Sequence, residues 1–125
     1  MEAPLAYDPN NVFARILRGE IPCDKVYEDE HVLAFRDIRP QAPAHILVIP
    51  KGAYVSLADF SARGTDAELA AVLRAAGQIA RDQGLDESGY RILANHGRDA
   101  HQEVPHFHIH IFGGRNLGRM IPKPD

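Results

Sequence analysis

The amino-acid sequence predicts an α+β fold with a mostly antiparallel sheet. Short β-rich runs follow one another along the chain, helical patterns interrupt them, and the order departs from a regular βαβ alternation. The 125 residues, of which 45% are hydrophobic and 25% charged, are typical of one globular domain. We therefore expect a single domain over residues 1–125, with a loose leader at 1–10 and a tail at 115–125.

The first predicted elements are a short helix, a hairpin and a buried strand. Asn10 or Asn11 can cap a helix through VFARILRGE, whose apolar residues fall at helical spacing, and Gly19 ends it. The segment KVYEDEHVLAFRD contains two β-rich runs around the acidic turn 28–30, which predicts a hairpin. The prolines of IRPQAPAH exclude regular structure, and HILVIP, bounded by Pro50, is typical of a buried strand.

The longest predicted helix covers residues 65–83. Thr65 can cap this helix, Glu68 completes a capping box, and Gly84 stops it. Helical spacing predicts one apolar face, made of Leu69, Val72, Leu73, Ala76 and Ala80. After a turn, YRILAN predicts a strand, HGRDAHQE a polar loop and HFHIHIF the last strand.

Charge and cysteine content argue against several kinds of partner and compartment. The net charge of -3 and the pI near 6.1 disfavour a general polyanion surface, so no nucleic-acid partner is expected. The lone Cys23 cannot form an intrachain disulfide and the N-terminus lacks the pattern of a signal peptide, so we expect a cytoplasmic protein. No stretch reaches the roughly 20 apolar residues of a membrane span, so no membrane association is expected.

Three histidines alternate in the segment PHFHIHIFGG, residues 105–114. In a strand, His106, His108 and His110 would share one face, and the apolar residues between them would face the core. Packing explains such a row poorly, because each imidazole carries two nitrogens that need partners when they are sheltered from water. The row therefore predicts a chemical site.

Two chemistries use a row of imidazoles. The first is a metal ion, but the Cα atoms of His106 and His110 would lie roughly 13 Å apart in a strand. Further ligands would then be needed, and His45, His96 and His101 are the histidine candidates. The second is covalent catalysis on a phosphate ester or amide. One neutral imidazole, with a pKa of about 6.5, would be the nucleophile and a neighbouring one would stabilise the phosphate charge. The wide spacing favours the second chemistry.

The segment HFHIHIF resembles the signature of the histidine triad (HIT) superfamily, in which three histidines alternate with large apolar residues. The segments VFARILRGEIP, DIRPQAPAHILVIPK, GYRILAN and QEVPHFHIHIFGGR follow the order of its nucleotide-binding branch, from about residue 11 to residue 115. The resemblance implies a five-stranded antiparallel sheet with two main helices. It also implies a homodimer with a continuous ten-stranded sheet, formed through the long helix and the strand YRILAN.

The resemblance further implies a role for each site residue. His108 would attack the α-phosphorus of a purine nucleoside phosphoramidate and hold a nucleotidyl-histidine intermediate until water releases an AMP-type monophosphate. His110 would contact the phosphate, His106 would orient its neighbours, and His45 would join this network. The substrate-binding residues that it implies are Asp37 at the ribose hydroxyls, Asn95 and Gln102 at the phosphate, Phe13, Ile16, Ile21 and Ile38 at the base, and also Glu103 and Val104.

Two departures from the family pattern bear on the metal and on the leaving group. Asn11 and Ala14 stand where some members carry a cysteine pair that helps to hold a structural zinc, so neither a metal nor another cofactor is expected. Glu103 stands where the phosphoramidate branch has a serine, and a carboxyl group can deliver a proton when its pKa is raised. Two alternatives stay open: hydrolysis of dinucleoside polyphosphates or adenylyl mixed anhydrides, and a nucleotide-binding regulatory protein with incidental hydrolysis.

Overall fold

A five-stranded antiparallel sheet organises the chain in the computed structural model, which describes residues 6–121. The predicted leader and tail therefore lie partly outside the described residues, at 1–5 and 122–125. The elements are α1 Val12–Leu17, β1 Lys25–Glu28, β2 Val32–Arg36, β3 Ala44–Pro50, α2 Leu57–Arg63, α3 Asp66–Asp82, β4 Tyr90–Leu93, a 3₁₀ turn Arg98–Ala100 and β5 Ile109–Gly113. The strand order is β1-β2-β3-β5-β4 and each pairing is antiparallel, so the predicted α+β class is confirmed.

The N-terminal helix and the hairpin follow the sequence prediction. The Asn11 side chain accepts a hydrogen bond from the Ala14 N–H at 2.9 Å and so caps α1. Gly19, with φ +78°, adopts the left-handed conformation that turns the chain after the helix. Between β1 and β2, the Asp29 carboxylate accepts from the backbone N–H of both His31 and Val32, which holds the hairpin turn.

The long helix α3 carries the predicted capping box. Thr65 Oγ1 accepts from the Glu68 N–H at 3.1 Å, and Glu68 accepts from the Thr65 N–H at 2.9 Å. The predicted apolar face was partly wrong, because Leu73 is 64% exposed. A slightly different face of the helix packs against the sheet. Its buried residues are Val72, Ala75, Ala76, Ile79 and Ala80.

The helix α2 was not predicted from the sequence. Its segment LADFSAR lacks a wide apolar stripe, and its buried residues are Asp59 and Phe60. The Asp59 carboxylate accepts from the Val55 N–H at 2.8 Å and pairs with Arg63 on the next turn. The buried carboxylate of Asp59 has its hydrogen bonds satisfied. It occupies a position where an apolar residue would have completed the sequence pattern of a helix.

The two faces of the sheet bury different sets of side chains. One face packs against α3 with a core of aliphatic residues that includes Ile46, Val48 and Ile111. The other face packs against Phe13 of α1, and its core contains Leu33, Phe35, Leu47 and Ile49. Since β3 and β5 pair Leu47 with His110 and His45 with Phe112, both histidines belong to strands that also build this second core.

Within residues 6–121, no helix has the length and apolar character needed to cross a membrane.

Replacing Thr65 by alanine should destabilise the protein by about 1 kcal/mol, because it removes the acceptor for the Glu68 N–H. Urea denaturation measures this loss as a lower midpoint at unchanged slope. Thr65→Ser keeps the hydroxyl and is the matched control, which should retain most of the stability. Equal losses in both variants would contradict a capping role for the hydroxyl.

Candidate active site

The histidine segment is less regular than its alternation predicts. The last strand was expected to begin at residue 106, but β5 begins at Ile109, so His106 and His108 precede it. The Phe107 N–H donates to the Tyr54 carbonyl at 2.7 Å rather than to β3, which takes this part of the chain out of the sheet. The three imidazoles therefore have different surroundings, and each must be described by its own partners.

The ring of His106 is completely buried, with 0% exposure, and is held at both nitrogens. Its Nε2 lies 2.8 Å from the Pro50 carbonyl, which can only accept, so this nitrogen carries the proton. In the neutral ring Nδ1 is then the acceptor, and the Tyr7 hydroxyl donates to it at 2.6 Å. These two contacts assign one tautomer to His106.

The ring of His108 is oriented by the backbone of His106. Its Nδ1–H donates to the His106 carbonyl at 2.8 Å, which leaves the lone pair on Nε2. The Phe13 ring meets it edge to face at 4.9 Å between centroids, and the His110 ring lies 5.0 Å away. His108 is thus a buried imidazole with a fixed tautomer and one basic nitrogen.

A second chain of hydrogen bonds fixes His45 and His110. The Gln41 N–H donates to Nδ1 of His45 at 3.1 Å, so the proton of the neutral His45 ring is on Nε2. That nitrogen donates to Nδ1 of His110 at 3.0 Å, which leaves Nε2–H of His110 as a hydrogen-bond donor. The Asp37 carboxylate lies 3.5 Å from Nε2 of His45, and the Phe112 ring stacks on His110 at an interplanar angle of 4°.

Burial keeps these imidazoles neutral at physiological pH. It lowers the pKa of His106 to about 4, and it also lowers the pKa of His110 to about 4, with a further contribution from the neighbouring His108 and His45. The pKa of His108 is lowered by burial against the opposing effects of the His106 carbonyl, Asp37 and Glu103. A neutral His108 retains the Nε2 lone pair that a nucleophile requires.

Asp37, His45 and His110 also offer one potential metal-ligand atom each, all within 4.8 Å of one another. Their hydrogen bonds fit a hydrogen-bonded series of side chains better than a set of metal ligands. Because the Gln41 N–H occupies Nδ1 of His45, the nitrogen that faces His110 and Asp37 carries a proton and has no lone pair for a cation. Asn11, at the position of a family cysteine, uses its side chain to cap α1. The absence of a resident metal stays a prediction.

The loop before the histidines contains two further predicted residues. The Asn95 side-chain amide donates to the Ala100 carbonyl at 2.8 Å. The Gln102 amide donates to the carbonyls of Val55 at 2.7 Å and Val104 at 3.0 Å, and its oxygen accepts from the Gly97 N–H. Both amides therefore brace this loop, and their predicted phosphate contacts stay predictions.

The apolar residues predicted around the base do not all lie together. Ile16 and Ile21 line a groove of about 500 Å³, whose other apolar walls include Leu17, Cys23 and Leu33. Phe13 is buried between this core and His108, and Val104 packs on the same core. Ile38 is 90% exposed in the loop between β2 and β3, and Glu103 is also exposed. The structure thus brings Phe13 to the histidines and leaves Ile38 at the surface.

Sequence reasoning missed five groups that hold the imidazoles. Three of them are backbone groups, the Gln41 N–H and the carbonyls of Pro50 and His106, which no residue pattern reveals. Phe112 continues the two-residue alternation of the histidines, and this spacing could have placed it beside them. Tyr7 lies in the segment predicted to be a loose leader, 99 residues from His106, and no sequence signal joins the two.

Comparison with known proteins gives consistent matches over most of the chain. A model of the HIT domain family matches residues 18–117. A HIT-like protein of Azospirillum brasilense is 71% identical over 117 residues, which cover 94% of this chain and 96% of that protein. The purine nucleoside phosphoramidase of Escherichia coli strain K12 is 47% identical over 110 residues, which cover 88% of this chain and 92% of that protein. A solved structure of a HIT family hydrolase from Clostridium thermocellum has a TM-score of 0.83 at 39% identity, covering 90% of this chain and 97% of that one.

The chain therefore belongs to the HIT family, and the resemblance carried by its alternating histidines is confirmed. It is an enzyme of that family, a nucleotide hydrolase of the histidine triad type.

The buried neutral histidines should make the protein unstable in mild acid. The folded pKa of His106 is about 4 and the unfolded value is about 6.5, so between these pH values the unfolded chain binds more protons. The stabilising contribution of neutral His106 to the free energy of unfolding is complete above pH about 6.5 and is lost as the pH falls toward about 4. The loss is on the order of 3 kcal/mol. Urea denaturation at a series of pH values measures this decline.

The variant His106→Asn should flatten this decline, since it removes one of the groups whose pKa is lower in the folded protein than in the unfolded chain. The matched control is His101→Asn, because His101 is exposed and has a φ of +56° that asparagine also tolerates. A decline as steep in His106→Asn as in the wild type would contradict the assignment to His106.

Proposed function

We propose that this enzyme hydrolyses purine nucleoside phosphoramidates through a nucleotidyl intermediate on His108. The observation that carries the proposal is the hydrogen bond from Nδ1–H of His108 to the His106 carbonyl, which fixes the lone pair on Nε2. The neighbouring His110 supplies a donor at its own Nε2–H, and the two rings lie 5.0 Å apart. A nucleophile beside a fixed donor is the pair of groups that attack on a phosphate requires.

In the first step, Nε2 of His108 attacks the α-phosphorus, a phosphorus–nitrogen bond to the ring forms, and the bond to the substrate amine breaks. The amine leaves with a proton that solvent water would deliver, and Glu103, which is exposed to the same solvent, would relay it. The His106 carbonyl stabilises the positive charge that develops on the His108 ring. His110 would donate to a phosphate oxygen.

In the second step, water attacks the nucleotidyl-histidine, the bond to His108 breaks, and a nucleoside monophosphate of the AMP type leaves. The electron pair of the broken bond returns to Nε2, which restores the neutral ring of His108, and the proton that water loses passes to the solvent. Because burial lowers the pKa of His108, the ring leaves readily as a neutral imidazole. The same groups therefore serve both steps.

The proposed substrate class is supported by the E. coli relative, a purine nucleoside phosphoramidase that is 47% identical to this chain. Asp37 would bind the ribose hydroxyls, since its carboxylate lies beside His45 and close to the histidine cluster. Phe13, Ile16 and Ile21 would hold the base along the second core and its groove. Ile38 would have to fold over the bound base, because it is exposed in the free protein.

Intact-protein mass spectrometry during turnover of an adenosine phosphoramidate tests the reaction. Wild-type protein should carry a transient adduct of one adenylyl group, and His108→Ala should form no adduct and lose nearly all hydrolysis. His31→Ala, in the hairpin turn, is the matched control and should behave as the wild type. Hydrolysis by His108→Ala at the wild-type rate would rule out His108 as the nucleophile.

If wild-type protein bound the nucleotide but turned over every phosphoramidate slowly, the regulatory alternative would replace the enzymatic one. Faster turnover of dinucleoside polyphosphates or adenylyl mixed anhydrides than of phosphoramidates would instead assign the other leaving-group class. The adduct on His108 would be the same in that case.

We also propose a cytoplasmic homodimer in which two β4 strands pair edge to edge. The strand β4 is the last in the sheet order, so one side of its backbone faces away from the sheet. Its Ile92 is 44% exposed in the single chain, so a partner strand paired along this edge would bury apolar surface. Pairing across this edge would join two five-stranded sheets into one of ten strands.

Ile92→Lys should shift the protein toward the monomer, because a lysine on the edge strand opposes strand pairing. Sedimentation velocity over a range of concentrations measures the shift. Leu57→Lys on α2 is the matched control, since Leu57 is also an exposed apolar residue, similar in size to isoleucine, and lies outside β4. A dimer of unchanged affinity in Ile92→Lys would contradict the proposed interface.

A further inference from the structure

The hydroxyl of Tyr7 contacts the buried ring of His106, although the two residues lie far apart along the chain. We propose that Tyr7 is a positioning residue of the active site: by holding the His106 ring, it fixes the backbone carbonyl that orients the His108 nucleophile. The kinetic consequence of this role rests on the proposed nucleotidyl transfer through His108. Tyr7 itself does not contact the reacting nitrogen.

The direction of the hydrogen bond follows from the other nitrogen of the ring. Because Nε2–H of His106 donates to the Pro50 carbonyl, Nδ1 carries the lone pair and the phenol must be the donor. The oxygen–nitrogen distance is 2.6 Å, and the two rings meet nearly edge to face at 5.6 Å and 70°. The His106 ring is thereby pinned at both nitrogens, on one side by β3 and on the other by Tyr7.

Contacts outside the histidine cluster hold Tyr7 in place. The Asn11 side-chain amide donates to the Asp8 carbonyl at 2.7 Å, and the Arg18 guanidinium donates to the Pro9 carbonyl at 2.7 Å. Arg18 also pairs with Glu20 after α1. Residues 7–11 therefore form a strap that is tied to both ends of α1 and presents the phenol to His106.

The strap and the nucleophile are connected through a short series of groups. The phenol holds the His106 ring, the same residue provides the carbonyl, and that carbonyl accepts Nδ1–H of His108. Removal of the phenol hydroxyl leaves a buried acceptor without its donor, so among the described residues the Pro50 carbonyl is the one remaining hydrogen-bond partner of the ring. Movement of His106 then moves the carbonyl and with it the Nε2 lone pair of His108.

The conservative variant Tyr7→Phe tests this role in the full-length protein, with two measurements. Long-range proton–nitrogen NMR spectra of the histidine rings, recorded at neutral pH without substrate, should show a downfield shift of the His106 Nδ1 signal, because the nitrogen loses its donor. Rapid-quench mass spectrometry should show adenylyl adduct formation slowed roughly tenfold, in line with the cost of misplacing a reacting group, at unchanged KM.

Tyr27→Phe is the matched control, because the Tyr27 hydroxyl also donates a side-chain hydrogen bond, at 2.7 Å to Asp29 in the hairpin. It should leave both the His106 signals and the rate of adduct formation unchanged. An unchanged Nδ1 signal in Tyr7→Phe, or adduct formation at the wild-type rate, would overturn the positioning role alone. A wild-type protein that forms no adduct would overturn the proposed function, and the kinetic role of Tyr7 with it.

Discussion

The hydrogen bond from Nδ1–H of His108 to the His106 carbonyl is the interaction on which the rest of the site depends. It decides which nitrogen of His108 keeps a lone pair. In the proposed reaction it would also stabilise the positive charge on the ring while Nε2 is bonded to phosphorus. A side chain in the place of this carbonyl would have its own rotamers and its own pKa. A backbone acceptor has neither, so the tautomer of His108 is fixed by the path of the chain from His106 to β5.

The sheet supplies the second half of the site by bringing two distant strands together. The pairing of β3 with β5 places His45 opposite Phe112 and Leu47 opposite His110, so the rings of His45 and His110 come within hydrogen-bond distance across the ladder. The Gln41 N–H, from the loop that leads into β3, then fixes the direction of that bond. Two backbone groups, the His106 carbonyl and the Gln41 N–H, thus assign opposite roles to two neighbouring imidazoles. His108 presents a lone pair and His110 presents a proton.

Local signals in the sequence predicted the fold well, because the relevant interactions lie within a few residues. The capping box at Thr65 and the hairpin turn at Asp29 are of this kind. The prediction failed where long-range packing decides. Leu73 has the spacing of a core residue but lies on the exposed face of α3. The position at which β5 begins depends on the hydrogen bond from the Phe107 N–H to the Tyr54 carbonyl. For the site, the histidine pattern located the chemistry, whereas Tyr7 and the backbone partners could not be predicted, since neither residue type nor spacing marks them.

The site combines buried imidazoles with nearby carboxylates, and this combination constrains what can bind there. Burial lowers the pKa of His106, His108 and His110, which keeps the three rings neutral at physiological pH but costs stability in acid. Asp37 and Glu103 oppose the lowering of the His108 pKa, so Nε2 of His108 stays more basic than burial alone would leave it. In the proposed reaction the same two carboxylates would repel an anionic leaving group more strongly than a leaving amine. The charges that oppose the lowering of the His108 pKa therefore agree with the proposed phosphoramidate class.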